Sequence, residues 1–412
     1  MKCDTIIWSN EEEFLLSCSR NYLYSQSNVD IHQIDLDWDR ILRESKRNKI
    51  SPLVAKTIAQ SNKVFDIMEH PGIELVQFAE SLKDLHVKTV QELLNINRNC
   101  RKAGIRVIHW KGFSFGLKYY KTFEDRPFAD IDILVEKRAL KAAMDLLKSL
   151  DFEMALSLSA EEEKQFIQNN YEITYRKRVD TRYIYVDVHW AFSGKQHQIN
   201  FPFEEVVART EHVVFDGEKI SVLSPEDTLL ALCIHSGIRE NWSSLKLIVD
   251  LAIFLLHEQS LDWKAFIEKA QRMGILRSFW IGAYVVETLL KIKLPEMVLE
   301  AIPQRTKSEQ MAVGAINQLF RDESENPRNW NSNFIRSLAK RERLSDKIKI
   351  VRFALFHDPI TNLRPNNQDR MFIRLPTHLS FLYYLVRPFR IISQYGFHKC
   401  CKLVRSNLFV FR

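Results

Sequence analysis

The sequence predicts an α+β fold, a small mixed β-sheet flanked by N- and C-terminal helical segments. Three observations carry the prediction. With 11 Gly and 12 Pro in 412 residues, the chain is poor in the residues that build tight turns, which argues against an all-β architecture. Apolar residues recur at three- and four-residue spacing before position 104 and again after 224, the pattern of helices with one buried face. Between 105 and 223 the period shifts to two, as in half-buried strands, without the many alternating strand–helix units of a doubly wound sheet.

The elements follow in order. SNEEEFLLSCSR opens a helix on a Ser or Asn cap, and WDRILRESKRN and PLVAKTIAQS continue the helical pattern. A long helix begins near GIELVQFAES and runs to Gly104, a residue suited to the left-handed position just past a helix end. IRVIHW is a strand, FSFGLKYYK a short helix, ADIDILV a second strand and KRALKAAMDLLKSL an amphipathic helix. NYEITYRKR and RYIYVDVHW form an antiparallel pair turning near Asp180-Thr181, and HVVFDGEKISVL is a hairpin signalled by Asp216-Gly217. SPEDTLLALCIHSG opens a further helix with Ser224 as cap, Pro225 at the first helical position and two acids in the first turn. These shifts divide the chain into an N-terminal helical segment (1–104), an α/β core (105–223), a helical substrate or lid region (224–322) and a basic C-terminal segment (323–412).

Composition narrows the class. Apolar residues make up 46% and charged residues 27%, enough for a substantial core and unlike a disordered chain. No apolar run reaches the ~18–20 residues of a transmembrane helix, and the N-terminus turns acidic before any signal-like hydrophobic stretch develops. Six cysteines (3, 18, 100, 233, 400 and 401) show no C-x-x-C spacing, so reduced thiols in a cytoplasmic protein are expected, without a zinc site. The net charge of +7 is unevenly placed: Arg336–Arg412 holds 16 Lys/Arg against 4 Asp/Glu, a net +12, so the remainder carries −5.

The chemistry lies in the carboxylates. In ADIDILV the alternation puts Asp130, Asp132 and Leu134 on one face and Ile131, Ile133 and Val135 on the other. Adjacent acids on a half-buried strand repel each other and need a cation, either Arg/Lys or a metal. RYIYVDVHW places Tyr183, Tyr185, Asp187 and His189 on one face. If the two strands are neighbours, Asp130, Asp132 and Asp187 converge in a hard-oxygen environment suited to Mg²⁺ or Mn²⁺. Upstream, HWKGFS passes from a strand into a helix. Gly112 there allows close backbone approach to a phosphate, Ser114 can hydrogen-bond its oxygen and Lys111 is a counter-charge, although the spacing is not that of a P-loop.

The order KG-x-S, YYKTFEDRPF, ADIDILV, VDVHW, SPEDTLLALCIHSG and LKLIVDLA resembles the uncharacterised nucleotidyltransferase family, within the polymerase-β-like superfamily, over roughly residues 10–300. The resemblance implies a nucleotidyltransferase core over 105–223 and transfer of an NMP from NTP with release of pyrophosphate, using two divalent ions. Asp130 and Asp132 would hold both ions, while Asp187 would bind one and help deprotonate the acceptor. The superfamily norm of a Gly-Ser or Gly-Gly pair is altered here, with Phe113 between Gly112 and Ser114.

Other residues carry weaker expectations. Arg126 either clamps a phosphate or neutralises the carboxylates. His189, His235, Lys246 and Asp250 are candidates to line the substrate pocket, the last three from the helical side. Asp250, set among apolar neighbours, also needs a partner, and Lys246 at i−4 is the expected structural one. The acid-free segment from Leu375 to Arg412 reads as a helix packed on an acidic body or as a peripheral contact with an anionic membrane, with nucleic acid ranked last. The acceptor, whether small molecule, glycan or peptide, leaves no mark in the sequence. Two other readings stay open: a D-x-D glycosyltransferase using a nucleotide sugar, and a catalytically silent nucleotide-binding or scaffold protein.

Overall fold

A computed structural model describes residues 7–25, 36–61, 72–300, 305–321, 338–356 and 372–376, with positions 379, 382, 383, 386 and 390. Most of the basic segment, and Cys3, Cys400 and Cys401, lie outside the described residues. Two compact units divide the chain, Met1–Ser193 with Asn200–Arg321, and Gly194–Ile199 with Asp322–Arg412. In the second, a helix spans Leu344–Phe356, and Arg341 donates to the His197 carbonyl. No helix among the described residues is long and apolar enough to cross a membrane.

The first unit is an α+β structure. It begins with helices α1 (Asn10–Tyr24), α2 (Trp38–Arg47), α3 (Ser51–Ser61) and α4 (Ile73–Lys102). Local chemistry sets the first ends: Ser9 and Glu12 form a reciprocal capping box on α1, and Asp37 caps α2. Gly104, at φ 68°, carries the chain away from α4. The mixed region then runs β1 (Val107–His109), α5 (Phe113–Tyr119), β2 (Asp130–Val135), α6 (Leu140–Ser149), β3 (Glu153–Met154), α7 (Ala160–Asn169), β4 (Glu172–Val179), β5 (Arg182–His189), α8 (Phe203–Val207), β6 (Glu211–Phe215) and β7 (Glu218–Val222). Both predicted hairpins form. Periodicity did not pick out β3, α7 or α8.

The sheet order is β3-β4-β5-β2-β1-β7-β6. Strands β2 and β5 lie at its centre and pair in parallel, with Asp132 opposite Asp187 and Leu134 opposite His189. Ile131, Ile133 and Val135 enter an apolar core with Val90, Leu93, Leu94, Met144, Val186 and Val188. That core lines one side of the sheet, so the carboxylates share the other.

After the sheet, α9 (Pro225–Leu232) starts on the Ser224 cap as predicted. The helix then widens into a π-helical segment over Cys233–Arg239, where the sequence predicts ordinary helix. Helices α10 (Leu245–His257), α11 (Trp263–Met273) and α12 (Leu276–Leu290) follow. Cys18, Cys100 and Cys233 are buried and not in disulfides.

Candidate metal and nucleotide site

The carboxylate face is built from neighbouring strands, as alternation requires. Asp132 is buried, while Asp130 and Asp187 are half-buried. Asp132 Oδ1 meets the Lys111 ammonium at 2.7 Å and His189 Nε2 at 2.9 Å. Its other oxygen, Oδ2, is buried with no hydrogen-bond partner. Thr174 donates to Asp187 Oδ1 at 2.6 Å. The Asp130 carboxylate makes no hydrogen bond or ion pair among the described residues. Among the described residues one lysine, Lys111, is ion-paired on a face that holds three carboxylates.

The electrostatics show the strain. The charge of Asp132, then burial, raises the Asp130 carboxyl above its ordinary value. Burial raises Asp187 as well, against the lowering effect of the Thr174 hydrogen bond. Asp132, Asp187 and His189 each present a ligand atom, all within 4.8 Å of one another. The tightest set thus includes His189 and not Asp130, which lies one step along the same face. An unpartnered buried oxygen beside repelling carboxylates is the donor set that a hard divalent cation completes.

His189 is fully buried. Its Nδ1 lies 3.1 Å from Glu172 Oε2, and Glu172 in turn accepts from the Tyr171 hydroxyl at 2.7 Å. Burial, then the Lys111 charge, pushes the imidazole down to about 3, which favours a neutral ring donating from Nε2 to Asp132. Trp110 sets its ring edge-on to both His189 and His235, at centroid distances of 5.2 and 5.9 Å.

The turn from β1 into α5 holds Gly112 at φ 64°, ψ −129°, a conformation open to glycine and strained for other residues. A Cβ there would stand 3.3 Å from the Asp130 carbonyl and 3.7 Å from Asp132 Oδ2, so a side chain would crowd the site. Ser114 is buried, and its hydroxyl donates to the Lys111 carbonyl at 3.0 Å, closing the turn. Lys111, expected to balance a phosphate, is engaged with Asp132 in this structure.

One expectation, the partner of Asp250, is corrected. Arg126 feels the Asp130 charge, but its hydrogen bonds go elsewhere. Its Nε and Nη2 each donate to Asp250 at 2.9 Å, and its Nη1 donates to the Gly112 carbonyl at 3.0 Å. With its fork held this way, Arg126 braces the glycine turn. Asp250 takes Arg126 as partner in place of Lys246, and accepts from Tyr120 at 2.8 Å as well. A bidentate guanidinium from across the fold out-competes a flexible lysine one helical turn away. Sequence reasoning missed Glu172, Thr174 and Arg239, whose Nη2 lies 3.7 Å from Glu172 Oε1. The first two were legible, because alternation in NYEITYRKR puts Glu172 and Thr174 on the face that His189 and Asp187 occupy.

The arrangement is an Asp-Asp-His cluster compatible with metal binding, beside a glycine turn at the centre of a mixed sheet. The chain belongs to the family described as uncharacterised nucleotidyltransferase, whose match runs over residues 35–291. No curated protein matches it. Membership makes the protein a nucleotidyltransferase by family, with an NTP as the implied substrate.

Proposed function

We propose that the protein transfers an NMP from an NTP to a hydroxyl or phosphate of a small-molecule, glycan or peptide acceptor, in the manner of polymerase-β-like enzymes. The observation that carries this reading is the set of three carboxylates on one sheet face, with one ion-paired lysine among the described residues and Asp132 Oδ2 left without a partner. Asp130, Asp132 and Asp187 would hold two Mg²⁺ or Mn²⁺ ions. Bound there, such ions would polarise the phosphate oxygens and acidify the attacking hydroxyl. Asp187 accepts the acceptor proton as the new P–O bond forms at the α-phosphorus; the α–β bridging P–O bond breaks, and pyrophosphate leaves with that electron pair. His189, donating from Nε2, orients Asp132. Gly112, braced by Arg126, keeps the approach to the carboxylates clear of side chains. Among the described residues, Cys18, Cys100 and Cys233 are buried and unbridged, which supports a reducing, cytoplasmic setting.

A second reading, a silent nucleotide binder, draws on Ser114, whose hydroxyl closes its own turn. A glycosyltransferase reading gives no role to Asp187, which stands directly opposite Asp132. The deciding experiment is pyrophosphate release with each NTP and Mg²⁺ or Mn²⁺, with cell extract as acceptor source, beside an Asp130→Asn/Asp132→Asn variant. Metal-dependent release that the variant loses is expected. Metal-dependent NTP binding without release would favour the silent binder, and binding of a nucleotide sugar in place of NTPs would overturn the proposal.

A further inference from the structure

Near the carboxylates stand cations that metal binding does not use. Lys246 is the second residue of α10, one turn before Asp250 on the same helix face. Asp250 is tied through Arg126 to the Gly112 carbonyl, which brings the first turn of α10 to the site. Lys246 is half-buried, and its ammonium makes no hydrogen bond or ion pair among the described residues. Its charge is felt at Asp130, at His86 and at His235. The leading backbone N–H groups of α10 are already taken, since Leu245 N donates to Asn48 Oδ1 and Lys246 N to the Asn48 carbonyl, both at 3.1 Å. An anion at this position would therefore meet the Lys246 side chain and not the helix end.

Arg239 closes the π-helical segment, a distortion that often re-aims side chains at functional sites. Its Nη2 is 3.7 Å from Glu172 Oε1 and its guanidinium stands 5.1 Å from the centre of the Tyr171 ring. Its Nη1 is buried with no hydrogen-bond partner. Lys111, Arg239 and Lys246 all act on His235, and together hold that imidazole in its neutral form after burial has done most of the work. Of the three, Lys111 pairs with Asp132 at 2.7 Å and Arg239 reaches Glu172 at 3.7 Å, while Lys246, pushed down to about 7 by burial, makes no ion pair among the described residues. Gathering cations around a neutral ring, with a donor left unpaired, is unfavourable unless an anion completes the group.

We propose that Lys246 and Arg239 bind the β- and γ-phosphates of the NTP, facing the carboxylate wall across the glycine turn. This rests on the nucleotidyl-transfer reading and assigns the polyphosphate tail its own subsite. The two cations balance the charge that pyrophosphate carries as it leaves.

The test is calorimetric binding to the full chain, with Mn²⁺ present, of the four NTPs, their NDPs and NMPs, and inorganic tripolyphosphate. Lys246→Met and Arg239→Gln should each weaken NTP and tripolyphosphate binding by about tenfold or more, the worth of one charge-assisted hydrogen bond. NMP binding and the binding of Mn²⁺ alone should not move, and Lys246→Arg should restore most of the loss. NTP and NMP affinities falling together, or neither falling, would overturn the subsite. If the wild type binds tripolyphosphate through Lys246 but no NTP, the subsite stands and the nucleotidyl-transfer reading fails. If it binds neither, the subsite falls as well.

Discussion

Two buried ion pairs meet at Gly112, and they are finished differently. In the Arg126–Asp250 pair both carboxylate oxygens accept from the guanidinium, Tyr120 adds a third donor, and the remaining Arg126 nitrogen donates to the Gly112 carbonyl. In the Lys111–Asp132 pair one oxygen takes both available donors and the other takes none, while Asp130 and Asp187 add charge on the same face. The first pair is closed, as a structural brace should be. The second has unused acceptor capacity in a buried place, which a folding argument does not account for and a cation-binding one does. Completeness of hydrogen bonding, more than burial or charge, separates a strut from a site.

That comparison can be broken in several ways, and the largest effect should come from Asp187→Asn. Pyrophosphate release should fall by about 10³-fold or more, on the scale of losing several kcal/mol of metal-assisted stabilisation, with NTP affinity held within a few-fold. A variant with normal turnover would remove Asp187 from the chemistry. Next, Arg126→Met leaves Asp250 buried and uncompensated and should cost about 3–5 kcal/mol in denaturant unfolding, whether or not metal is present. Lys111→Met should also destabilise the protein in EDTA, but Mn²⁺ should restore the loss; equal behaviour of the two variants would erase the distinction drawn between the pairs.

A smaller effect has the opposite sign. Because Asp132 raises the Asp130 carboxyl, the native state disfavours ionised Asp130, a penalty present at neutral pH and absent below the unfolded-state value of 3.8. Asp130→Asn should therefore raise the melting temperature of the metal-free protein at pH 7. The gain should shrink as pH falls toward 3.8. A variant that melts lower at pH 7 would show that Asp130 is compensated after all. Smallest is Ser114→Ala, which removes one hydrogen bond within the turn and should cost about 1 kcal/mol of stability. If it instead weakens NTP binding tenfold with stability unchanged, the hydroxyl serves phosphate and not the turn.

Much of the site was legible because strands alternate. Asp130-Ile131-Asp132 and Val186-Asp187-Val188-His189 declare their faces locally, and the helix caps at Ser9, Asp37 and Ser224 are written in adjacent residues. Neighbourhood is another matter. Nothing near Arg126 or Asp250 says that they meet, since 124 residues separate them, and the local rule for helix neighbours pointed to Lys246. The π-helical segment is also silent in the sequence, because widening one turn depends on what packs around it, and with it went the placement of Arg239. Glu172 was within reach, had the alternation applied to β5 been carried onto its hairpin partner.

Divalent-metal binding by these carboxylates can be followed directly by Mn²⁺ titration with electron paramagnetic resonance. The wild type should bind Mn²⁺ saturably without nucleotide, and Asp132→Asn should lose that binding while keeping its fold by circular dichroism. Equal Mn²⁺ uptake by the two proteins, or none by either in the absence and presence of NTP, would contradict the account.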